Sequence, residues 1–134
     1  MRNELIRKAV ELGKKAGRIF LTTADNNGVP HLGIATKISI NSGAKFSVAG
    51  WFCPGTVGNL NSNPNIGVTI WDSKRDIGYQ LLGKKEDLRE VAMLDGYAPG
   101  LEEKLHLPQV EREVLVNVEK VLEFKKVAHS DAEI

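Results

Sequence analysis

A chain of 134 residues, 42% hydrophobic and 26% charged, is long enough for one core and too short for separate cofactor and substrate domains. Eighteen basic against seventeen acidic side chains leave a formal charge of +1, which excludes the concentrated basic excess of a protein built to grip nucleic-acid backbone. Cys53 is the only cysteine, so an intrachain disulfide framework and a cysteine-rich metal or iron–sulfur site are also excluded.

The first five residues, Met1-Arg2-Asn3-Glu4-Leu5, are charged and carry no apolar run, which predicts no secretory signal and hence a cytoplasmic protein. Asn3 is placed to cap a helix. Leu5, Ala9, Leu12 and Ala16 recur at helical spacing, so residues 1–16 are expected to be helical and to end at Gly17. Arg18 to Thr23 is a short β-prone run. Asp25-Asn26-Asn27-Gly28 is strong turn chemistry, and Pro30 to Ile40 reads as the second strand of a hairpin. After the turn Asn41-Ser42-Gly43, a third strand runs from Lys45 to Trp51. Cys53-Pro54-Gly55 interrupts it, and Thr56 to Asn63 is expected as a short helix stopped by Pro64.

Ile66 to Trp71 reads as a fourth strand, and Gly78 to Gly83 opens a fifth after the charged turn Asp72 to Asp76. Residues 86–109 mix helix formers with Gly96, Pro99, Gly100 and Pro108, which predicts an irregular excursion with one or two helical turns. Val110 to Phe124 fits both a helical stripe and strict alternation. Its five valines favour a strand, because β-branched side chains suit a pleated surface. Residues 128–134 are expected to fray. Six short strands joined by hairpins, with few helices, predict a mainly β, single-domain protein over 1–134: a six-stranded antiparallel barrel. Side chains fill the interior of so small a barrel. A ligand of more than a few atoms must then lie outside it or between subunits.

Charge is unevenly distributed. Residues 26–71 hold only Lys37 and Lys45 and no carboxylate. Two buried strands joined by a polar turn account for this, and a carboxylate-free, Gly- and Asn-rich region can also hold an anion on backbone N–H groups. His31, His106 and His129 lie in no catalytic or metal-binding spacing. His31 reads as a strand-end residue and Cys53 as a buried, inert thiol.

In order, the segments RIFLTTADNNGVPHLGIATKISI, KFSVAGWFCPGTVGNLNSNPNIGVTIWD and DIGYQLLGKKEDL resemble the pyridoxamine 5′-phosphate oxidase-like FMN-binding split-barrel family in its small single-domain form. The resemblance covers residues 17–88 well and the Val-rich last strand loosely. It implies a homodimer holding two FMN molecules at the subunit interface, with the phosphate near Pro54-Gly55-Thr56-Val57. The oxidase pattern has Ser-Arg-Lys where this chain has Pro54-Gly55-Thr56, so both basic side chains are missing. The resemblance then assigns the phosphate to the Thr56 hydroxyl, to backbone made accessible by Gly55, and to the free amides of the following helix. Lys37 is the candidate for charge compensation, or else a solvated strand residue, with Arg18 and the other cations of the first segment, from either subunit, as substitutes. Gly33, Ala35, Thr36 and Lys37 would offer mostly backbone groups to the flavin's pyrimidine edge, beside Ala49, Gly50 and Trp51. Trp51 and Phe52 either pack on the ring system or belong to a core or dimer interface. Asn59 either reaches the phosphate or ribityl chain or packs its helix, and the resemblance implies that Gln80 in GYQLLG contacts the flavin.

The substrate-binding Arg and His of the oxidase have no counterpart, so pyridoxamine phosphate oxidation is not expected. The resemblance implies instead an FMN oxidoreductase passing electrons or hydride to a small acceptor. Alternatives are a non-catalytic FMN carrier, or the same barrel binding F420 or heme, for which His31 and Cys53 are weak axial candidates. A nucleic-acid-binding barrel using Trp51, Phe52, Trp71 and Tyr79 lacks a basic stripe.

Overall fold

The computed structural model describes residues 2–94, 109–128 and 131–134. Its elements in chain order are α1 (Arg2–Ala16), β1 (Ile19–Ala24), β2 (Pro30–Ala35), β3 (Lys37–Ile40), β4 (Lys45–Trp51), α2 (Pro54–Ser62), β5 (Asn65–Asp72), β6 (Ile77–Leu94) and β7 (Gln109–Glu123). The strands form one antiparallel sheet in the order β2-β1-β5-β6-β7-β4-β3. Its two edge strands, β2 and β3, are separated by Thr36 alone. They are halves of one bent strand, so the sheet curls until its edges meet. The single strand expected over Pro30 to Ile40 is therefore two, and the count rises from six to seven.

The bend has a local cause. Gly33 and Ala35 face inward, Thr36 and Lys37 are both exposed, and Ile38 faces inward again. Two successive outward residues shift the period-2 alternation by one place. A second slip lies opposite, in β4. Gly50 adopts φ 71°, and the register to β7 shifts between Val48 and Trp51. Both of those side chains then point into the core. Gly50 also has to be glycine for space, since a β-carbon there would collide with Thr36 Oγ1.

The interior is filled by Ile19, Leu21, Phe46, Val48, Trp51, Val68, Ile70, Leu81, Val114 and Val116, all essentially inaccessible. The buried stripe of α1 (Ile6, Ala9, Val10, Leu12, Gly13) packs on β3 and β5, with Gly13 admitting Ile38 and Ile70. Gly17 (φ 66°) ends that helix, its amide donating to Gly13 O at 2.9 Å. In the β1–β2 turn, Gly28 takes φ 81° while Asp25 Oδ1 accepts from the amides of Asn27 (2.8 Å) and Val29 (2.9 Å).

Three expectations change. α2 starts at Pro54, two residues earlier than anticipated, because proline suits the first helical position. Residues 86–94, expected to be irregular, continue β6 against β7 through register shifts at Lys85/Asp87 and Glu90/Ala92. The long, valine-rich β7 supplies a pairing edge that overrides local helix propensity. The rest of that excursion, 95–108, lies outside the described residues. At the C-terminus, Ile134 N donates to Val121 O at 2.9 Å and Glu123 N to Ala132 O at 2.9 Å, so the last residues dock on β7 rather than fray.

Asp76, at φ 55° in the β5–β6 turn, accepts from the Lys126 amide and the Trp71 indole N–H, each at 3.0 Å. These bonds hold its carboxyl below the usual carboxylate range, as the Arg75 side chain does for Asp72. Both groups brace the turn, on the side of the sheet next to α1. Among the described residues no helix is long and apolar enough to cross a membrane.

Candidate functional site

Two surfaces carry chemistry. The first is the seam between β2 and the start of α2. Cys53 occupies the N-cap without a side-chain cap bond, Pro54 has no N–H, and the first turn holds no acidic residue. The Val57 amide already donates to Cys53 O at 3.2 Å. The amides of Gly55 and Thr56 precede any intrahelical acceptor and have no partner among the described residues. Thr56 is fully buried, and its Oγ1 has no hydrogen-bond partner among the described residues. This hydroxyl faces Gly33, where a β-carbon would come within 2.8 Å of it and 3.0 Å of Cys53 Sγ. Only glycine on β2 lets α2 lie this close. On the same helix Asn59 Nδ2 donates to Thr23 Oγ1 at 3.1 Å, which ties α2 to β1.

The second surface is the outward side of β2, β1, β5 and β6. The register aligns Leu32, Thr22, Gly67 and Leu82 in one row across the strands, and Ile34, Phe20, Thr69 and Gln80 in the next. Leu32 and Ile34 are 61% and 48% exposed. Beside them an open depression of about 460 Å³ is floored by Gly67 and bordered by Thr22, Thr69, Gln80, Leu82, Glu119 and Lys120. Glycine in mid-strand leaves the backbone bare there, with hydroxyls and an amide around it.

No family model and no curated protein matches this sequence. Solved structures do match. A protein of Clostridium acetobutylicum related to general stress protein 26 and assigned to the pyridoxinephosphate oxidase family superposes with a TM-score of 0.60 at 14% identity, over 92% of this chain and 90% of that one. An FMN-binding protein from Syntrophomonas wolfei gives 0.59 at 18% identity, over 91% and 87%. The fold is the pyridoxamine 5′-phosphate oxidase-like split barrel. Other proteins of this fold differ in their ligands: the heme storage protein HutZ of Vibrio cholerae matches with a TM-score of 0.54 (16% identity; 90% and 94% covered), and an F420 reductase with 0.55 (14%; 83% and 93%).

Within the split barrel, the residues singled out from the sequence fall into three groups. Gly33, Gly55 and Thr56 meet at the β2–α2 seam, with Asn59 one turn further along the helix. Thr36, Lys37, Ala49 and Gly50 gather where the sheet edges close, and Thr36 Oγ1 donates to Gly50 O at 3.4 Å. The close approach that Gly50 allows is therefore between two strands of the protein itself. Lys37 is exposed, and Ala35 is buried. Gln80 lies apart from both groups, on the outward face. Trp51 is 1% exposed, with its indole N–H on Val48 O at 3.0 Å, so its ring belongs to the core and presents no stacking surface. Phe52 remains at the surface.

Sequence reasoning missed Thr22, Thr69, Leu32, Ile34 and Leu82. They become one surface only through the register of four strands. Gly67 was the available signal, a lone glycine inside a β-run. Among the described residues no cluster of His, Cys, Asp or Glu could hold a metal ion.

The orphaned hydroxyl makes a direct prediction. Thr56→Val removes a buried oxygen that no protein group satisfies, so the ligand-free protein should gain about 1 kcal/mol. If an anion is what satisfies that oxygen, its affinity should fall about tenfold in the same variant. Thermal denaturation with and without flavin, and a fluorescence titration, check both arms. A less stable variant with unchanged affinity removes Thr56 from the site.

Proposed function

We propose that the protein is an FMN-binding flavoprotein, a homodimer that holds each flavin between two chains and passes electrons or hydride to a small acceptor. The observation that carries this reading is the outward face of β2-β1-β5-β6. It combines exposed Leu32 and Ile34 with a polar-edged depression that is open on one side. The barrel interior is packed with side chains, so a tricyclic ring has no room within one chain. The open depression shields one side of such a ring, and a second copy could cover the other.

The seam at α2 fits the anionic end of the ligand. Free amides of Gly55 and Thr56, the positive end of a nine-residue helix, and an unpartnered buried hydroxyl are complementary to a phosphoryl group. They replace the two basic side chains of the oxidase pattern. A bound flavin would supply the redox chemistry, and this chain's residues would supply position and solvent exclusion. Gln80 and Thr69 would direct polar groups at the ring edge, while Leu32 and Ile34 would close the subunit contact against water. FMN binding is the part of the reading that the structural relative from Syntrophomonas wolfei supports.

The test is to extract the small molecule that co-purifies, weigh it, and assay the holoprotein for NAD(P)H oxidation with several acceptors. FMN with turnover supports the oxidoreductase, and FMN without turnover reduces it to a carrier. F420, heme, or no affinity for added FMN overturns the assignment.

A further inference from the structure

We propose that His31 supplies the positive charge missing from the anion seat at the start of α2, and so makes the protein prefer a phosphorylated flavin to riboflavin. The inference rests on the FMN reading above. His31 is exposed on β2, two residues before Gly33. A β-carbon on Gly55 would fall 2.8 Å from His31 Cε1, 2.9 Å from Nε2 and 3.3 Å from Nδ1. The edge of the ring that carries both nitrogens is thus turned towards the first turn of α2, and glycine at 55 leaves room for it.

The groups meeting there can all donate a hydrogen bond. The Gly55 and Thr56 amides are free, the Thr56 hydroxyl has no partner, and no hydrogen bond joins the imidazole to any of them among the described residues. No carboxylate answers them. α2, β1 and β2 contain no Asp or Glu, and among the described residues of these elements and the residue before α2, Cys53 is the other titratable side chain. Asp25, in the nearby β1–β2 turn, has Oδ1 committed to the Asn27 and Val29 amides. Four groups able to donate, one of them an imidazole that gains a charge on protonation, are the complement of a dianionic phosphoryl group. A histidine that merely ended a strand would have no reason to turn its nitrogens onto a helix N-terminus.

The experiment measures FMN and riboflavin affinities of the native chain, His31→Gln and His31→Arg. His31→Gln should weaken FMN about tenfold or more and leave riboflavin within about twofold, because only FMN has the phosphate. His31→Arg, which restores a fixed charge, should keep the FMN preference. Gly55→Ala, whose β-carbon displaces the ring edge, should weaken FMN in the native chain and add little in the His31→Gln background. An FMN preference that survives His31→Gln, or equal losses for both flavins, overturns the proposal and leaves the flavin reading intact. A native chain that binds neither flavin overturns both.

Discussion

Replacing Leu32 and Ile34 together with glutamate should turn the protein into a stable monomer that no longer retains flavin. Both side chains are already largely exposed within one chain, so the folded monomer loses little, about 0.5 kcal/mol. Between two copies, four carboxylates would be brought out of water on an apolar surface without partners. Each such burial costs several kcal/mol. Flavin affinity should fall at least about a hundredfold if, as proposed, the partner supplies half of the pocket. Light scattering reads the mass and a fluorescence titration reads the flavin. A dimer of unchanged affinity would place the subunit contact on a different face.

The second large effect is expected at Gly33. A β-carbon there would lie 2.8 Å from Thr56 Oγ1 and 3.0 Å from Cys53 Sγ, and Thr56 is fully buried, with little freedom to retreat. Gly33→Val should force α2 off β2, at a cost of about 3 kcal/mol in chemical denaturation, and should take the anion seat with it. Gly58→Ala is the control on the same helix. Its β-carbon meets nothing within 4 Å, so stability should hold or rise by about 1 kcal/mol. A Gly33→Val protein with native stability and native FMN affinity would show that β2 and α2 are not held together as described.

Residue patterns made much of this architecture legible. β-prone runs bounded by turn chemistry located β1, β4, β5 and the start of β6, and Asn27-Gly28 marked the first hairpin, because those signals are local. The break at Thr36 was not legible, since Leu32, Ile34, Ile38 and Ile40 keep one period-2 phase across it and the slip depends on how the sheet closes on itself. For the same reason Trp51 looked available for stacking. Gly50 redirects it inward, and a glycine gives no notice of the sign of its φ. Residues 86–94 carry helix formers, and only the distant β7 makes them a strand.

The site divides in the same way. The α2 turn was readable because Pro54, Gly55 and Thr56 are consecutive and sit in a stretch without carboxylates. The outward face was not, because Thr22, Gly67 and Gln80 become neighbours only when three strands pair in register. His31 looked like a strand end. Its importance comes from the absence of a side chain at position 55, on another element.

In the proposed reading, the packed interior of one barrel leaves the flavin to be shared with a second copy. Sedimentation of the FMN-loaded protein through a dilution series, followed at flavin absorbance, tests this most directly. The flavin should travel only with the two-chain species and be released as single chains appear. Flavin sedimenting with a single chain would contradict the account.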